Sequence, residues 1–212
     1  MGRDHAYVTR CLASASLAVL AVAAFSGCGG HRSAADLGKA ELVTLRASDL
    51  GRGWRRVPGL VSRSCPTEAT ACVHSLFAKG SADALVRTSV FRTAASATEA
   101  YERTLSALPA IGASLPLNPQ VVKLLRRRKE QESTRVLNRA PLTSRGARAT
   151  VLVFRMATSG GSDAVRYVGE NVYVVDGRTT TTLYLAPRAL VPSASKIVAV
   201  LAARAESAAG GS

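Results

Sequence analysis

The chain has 212 residues, 47% of them apolar, and 28 basic against 14 acidic side chains give it a formal charge of +14. That apolar share excludes a disordered chain, and the length suits one domain burying roughly 70% of its unfolded surface without help from metals. The basic excess invites a nucleic-acid reading, which the N-terminal segment has to be weighed against.

The chain opens "MGRDHAYVTR", with Arg3 and Arg10 against Asp4, and then runs uncharged from Cys11 to Phe25. A basic start followed by a short apolar run is the pattern of a secretory signal. As a helix the run would span about 22 Å, short of the roughly 30 Å hydrocarbon core. Two ends of the signal compete. Ala21, Val22 and Ala23 offer the small-x-small pattern of ordinary signal cleavage. Phe25, Ser26, Gly27 and Cys28 resemble the lipobox of bacterial lipoproteins, whose pattern is Leu, Ala or Ser, Gly or Ala, then Cys; Phe25 departs from it. That resemblance implies diacylglycerol on the Cys28 thiol and cleavage just before it. At about 0.8 kcal/mol per buried CH₂, two or three acyl chains make a stable anchor.

The expected organisation is a signal peptide over 1–27, a lipidated tether over 28–40, one domain over 41–207 and a disordered tail over 208–212. The expected location is the extracytoplasmic face of the cell membrane. Export argues against nucleic acid as a partner. It brings anionic lipids or acidic cell-wall polymers nearer to the densest basic run, Lys123, Arg126, Arg127, Arg128 and Lys129. That run is a candidate anionic-surface site; its plainer reading is the solvated face of a helix. No aromatics interleave with it, so it offers no stacking platform for bases.

With Cys11 leaving in the signal and Cys28 assigned to lipid, Cys65 and Cys72 remain as a pair in "CPTEATAC". In an exported protein an even pair predicts a disulfide, worth about 2–3 kcal/mol for so short a loop. A metal would need more ligands than His74 supplies, and the C-x-x-C spacing of redox motifs is absent. No metal or cofactor is expected.

"LRASDLGRGWRRV" reads as a helical turn leading into a strand, with Trp54 pinned to the core; its glycines do not match a phosphate loop. Ala84–Thr93 is rich in β-branched residues and predicts a strand. Ser96 and Glu99 form a capping box for a helix to Leu108, with Ala97, Tyr101, Leu105 and Leu108 on one stripe. Asn118 and Pro119 start a second helix that carries the basic run. Four strands follow, over 133–142, 147–158, 164–175 and 178–187, with Asp176-Gly177 as a type I′ hairpin turn. Ser193–Glu206 reads as a closing helix with Ile197, Val198, Leu201 and Ala205 on its apolar side.

The expected class is α+β: an antiparallel sheet of about five to six strands with helices packed on one face. This order, with "ASDLGRGW", the short cysteine loop, "RTSVFRTAASATEAYERTL" and the terminal "IVAVLAAR", resembles a loose group of actinobacterial lipoproteins. It is similar to the extracellular sensor domains of receptor-type Ser/Thr kinases and to Mog1/PsbP-like lipoproteins. The resemblance implies a helix-flanked antiparallel sheet with a sensing or binding role outside the membrane, and it transfers no catalytic residues.

Catalytic inventory is sparse. Beyond the signal the histidines are His31 and His74, and G-x-S-x-G does not occur. Ser193 and Lys196 form S-x-x-K without its partner motifs, which reads as a helix cap. Asp163, Glu170 and Asp176 sit near turns and strand ends as solubilising groups. The expectation is a non-enzymatic, lipid-anchored envelope protein that senses or binds a ligand. The alternative is a cell-wall-acting hydrolase with an active site assembled from distant residues.

Overall fold

The structure, a computed structural model, describes residues 33–58, 65–114, 131–159 and 166–210. Seven strands form one antiparallel sheet: β1 (Arg55–Val57), β2 (Ala69–Lys79), β3 (Ala82–Phe91), β4 (Gln131–Ser144), β5 (Ala147–Ser159), β6 (Arg166–Asp176) and β7 (Thr179–Ala186). Among the described residues three α-helices accompany it: α1 (Ala34–Val43), α2 (Ala94–Ser106) and α3 (Ala194–Gly210). In space the strands run β1-β2-β3-β7-β6-β5-β4, so two meanders meet where β3 pairs with β7.

The α+β class stands, with seven strands in place of five to six. The strand following the Ala47–Leu50 turn is β1, as expected, and the added strand is β2, which carries Cys72 near its start. The helices pack on both faces, not one. Helix α3 lays Ile197, Val198 and Leu201 on Phe77, Val86, Val172, Leu183 and Leu185. Helix α2 lays Ala97 and Tyr101 on Leu85, Phe154, Tyr173 and Tyr184 across the sheet. The cause is the side-chain period of two: in β6 and β7 the valines and leucines line one face while Tyr173 and Tyr184 give the other an apolar body too. A sheet apolar on both faces needs cover on both.

Helix α1 extends the fold back into the segment read as a tether. Ser33 caps it by accepting from the Asp36 N–H at 3.3 Å, and Asp36, Ala40 and Val43 are buried. The Asp36 carboxylate pairs with Arg178 at 2.9 Å and accepts from the Thr70 hydroxyl at 2.6 Å, tying the helix to β2 and to the β6–β7 turn. The Asp49 carboxylate takes both of its bonds to Arg204 from one guanidinium nitrogen, at 2.8 and 2.9 Å, which fastens the turn before Trp54 to α3.

Local signals shift by a few residues. The cap of α2 is Thr93, whose hydroxyl accepts from the Ser96 N–H at 3.1 Å, so the helix starts before the expected Ser96–Glu99 box. The Lys196 N–H donates to Ser193 Oγ at 3.4 Å, which is the cap arrangement in the S-x-x-K stretch. The type I′ turn, which needs positive φ at both central residues, is Arg145-Gly146 (φ 49 and 82) between β4 and β5. At the expected site Asp176 closes β6 and only Gly177 has positive φ, so that turn is not type I′. The signal segment, Cys28, His31, Asp163 and the helix expected from Asn118 with its run Lys123, Arg126, Arg127, Arg128 and Lys129 lie outside the described residues.

Candidate functional site

The site forms where α2 crosses the centre of the sheet. Ala100, Thr104 and Ala107 fall at i, i+4 and i+7, one stripe of short side chains toward the sheet. Flanking residues of the helix, Ala97 and Tyr101, reach the core, so the short stripe leaves open space beneath it. The space is a cavity of about 350 Å³.

Its floor is a polar row written by the strand register. His74 on β2 lies opposite Arg87 on β3, Arg87 opposite Thr182 on β7, Thr182 opposite Tyr173 on β6, and Tyr173 opposite Thr150 on β5. Arg87, Thr182 and Tyr173 line the cavity, with Phe91 and Thr180 beside them. The Tyr101 hydroxyl pairs with Thr150 Oγ1 at 2.9 Å and closes one end. Arg148 stands 5.6 Å from the centre of the Tyr101 ring and pairs with Glu102.

The side wall is the cysteine loop. Cys65 and Cys72 are disulfide-bonded, with Cα atoms 5.8 Å apart, and the loop between them supplies Pro66, Thr67 and Glu68 to the lining. Arg103 of α2 reaches across the mouth to Glu68 at 2.8 Å and holds Glu99 on its own helix at 3.0 Å. The covalent staple fixes the wall; the exposed ion pair connects it to the helix.

Burial sets the electrostatics. It lowers the proton affinity of Arg87, partly countered by Tyr173 beside it, and the guanidinium stays a cation at neutral pH. The Tyr173 hydroxyl is pushed up to about 12 by burial, against pulls from Arg87, Asn171 and Arg139, so it stays protonated. The floor therefore presents one cation and several hydroxyls.

Among the described residues Glu68 is the lone carboxylate of the lining. Glu170 lies on the opposite face, where burial raises its pKa and Arg188 offsets part of the rise. Burial also raises Asp176, at the end of β6. The Cys65 and Cys72 sulfurs and a His74 ring nitrogen lie within 4.8 Å of one another, but the sulfurs are bonded to each other and offer no thiolate.

The predicted pair Cys65–Cys72 thus forms a wall of the site, while Arg87, Tyr173 and Thr182 were not singled out from sequence. A signal for Arg87 was present. Alternation along "ALVRTSVF" puts a charge on the same face as Leu85 and Phe91, in the middle of an otherwise apolar strand. Among the described residues no helix is long and apolar enough to cross a membrane. Compared with known proteins, the chain matches no family model, no curated protein and no solved structure.

Proposed function

We propose that the chain is a non-enzymatic binding or sensing domain, lipid-anchored through Cys28 at the extracytoplasmic face of the cell membrane, that takes a small organic ligand beneath α2. The cavity carries this reading. Its 350 Å³ falls at the small end of the roughly 300–1,000 Å³ range of ligand sites, and its lining sets the apolar side chains of Phe91, Ala100 and Ala107 beside convergent polar groups. The alternative, a hydrolase, calls for positioned acids and bases, and Glu68 at the mouth is committed to Arg103. The disulfide suits an oxidising compartment. The anchor rests on the "FSGC" stretch.

Two measurements check the two halves. Cys28→Ala is expected to move the protein from the membrane to the soluble fraction; firm membrane retention of that variant contradicts the anchor. For the cavity, benzyl alcohol titrated into the purified mature protein should shift amide resonances of Ala100, Thr104 and Thr180–Thr182. Ala100→Trp, which fills the space, should abolish those shifts. Shifts that are absent, or that persist in Ala100→Trp, contradict a binding cavity.

A further inference from the structure

We infer that the ligand is an organic acid whose carboxylate pairs with Arg87 while its apolar body lies along Phe91 and Ala100; this rests on the binding cavity just proposed. Seven of the described carboxylates already hold other arginines. Asp36 holds Arg178, Asp49 holds Arg204, Glu68 and Glu99 hold Arg103, Glu102 holds Arg148, Glu170 holds Arg188 and Glu206 holds Arg145. Arg87, drawn further from water than most of these arginines, makes no ion pair or hydrogen bond among the described residues. Asp83, on the same strand and face, is four residues away, roughly 13 Å along the strand.

A cation withdrawn from water is costly unless an opposite charge meets it, and here the space beside it is open. The guanidinium fork matches a carboxylate with two parallel N–H donors. On one side of it the register places Thr182 and, beyond that, the protonated Tyr173, whose hydroxyls are further donors for the same anion. Charge count favours a monoanion over a phosphate. The one other arginine of the lining, Arg103, already satisfies Glu68 and Glu99, and the apolar wall of Phe91, Ala100 and Ala107 suits a carbon body. The cysteine loop, held by its disulfide, closes the side of the site with Pro66, Thr67 and Glu68.

The test compares benzoate, benzyl alcohol and inorganic phosphate on the purified mature protein by amide shift titration. Benzoate should bind at least tenfold tighter than benzyl alcohol, with both shifting the same lining residues. Arg87→Gln should weaken benzoate at least tenfold and remove its advantage over benzyl alcohol. The comparison of probes on the unsubstituted protein stands even if that variant folds poorly. Benzyl alcohol binding as tightly as benzoate, or phosphate binding more tightly, overturns the carboxylate and leaves the cavity reading intact. If no probe shifts the lining residues, both fall.

Discussion

Gly169→Ala is expected to lower the thermal unfolding midpoint by roughly 10 °C, a loss of about 3 kcal/mol. A Cβ at Gly169 would stand 2.5 Å from Phe154 Cζ and 2.9 Å from Cε2, with the Leu185 carbonyl oxygen at 3.1 Å. The ring cannot swing away, because Phe154 is fully buried and stacked on Tyr184 at 5.6 Å between ring centres. Gly169 lies opposite Phe154 in the β5–β6 register, so the glycine makes room for the ring in the sheet face that α2 covers. Adding Phe154→Leu removes the atoms in collision. The double variant should therefore be more stable than Gly169→Ala alone, although Phe154→Leu by itself destabilises. Thermal melts of the four proteins, with the disulfide intact, read this coupling directly; simple additivity would contradict it.

The second large effect is a pH dependence at Asp83. Burial raises its carboxyl from 3.8 to about 7, and Oδ1 has no hydrogen-bond partner. The folded state then holds a proton that the unfolded state releases near pH 4. The stability linked to this group is fully present below about pH 4 and declines as pH rises toward 7, after which the charged form carries its full penalty. A shift of about three pH units corresponds to at most about 4 kcal/mol, and partial hydration of the site brings the expected change to about 2–4 kcal/mol. Asp83→Asn should match the unsubstituted protein near pH 4 and exceed it by that amount above pH 7. Denaturant unfolding of both proteins across this window measures it. Using the difference between the two cancels the general charge repulsion of so basic a chain; a difference that stays flat with pH would contradict the assignment.

Much of the architecture was legible from side-chain periodicity. The β4–β7 meander, α2 and α3 follow from alternation and the 3.6 period, and Trp54 sits buried as its sequence context suggests. The cysteine pairing followed from counting. What escaped did so for physical reasons. Strand β2, ATACVHSLFAK, sets alanines and Cys72 beside Thr70, His74 and Ser75, which masked its alternation. The two-sided cover was hidden because tyrosine scores as half polar while its ring packs as a core residue. Helix α1 has a weak apolar face, and what fixes it is the long-range pair Asp36–Arg178, which no local pattern shows. The cavity depends on a coincidence of three distant segments: small residues on α2, a polar row across β3, β7 and β6, and the stapled cysteine loop. Of these, Arg87 within "ALVRTSVF" was the one readable sign.

Arg87 is the proposed seat of a bound acid. A crystal structure of the mature protein grown with benzoate tests it most directly. The carboxylate is expected within hydrogen-bond distance of the Arg87 guanidinium, with the ring against Phe91 beneath α2. A benzoate seated elsewhere, or a cavity left empty at saturating benzoate with Arg87 turned away from it, would contradict the account.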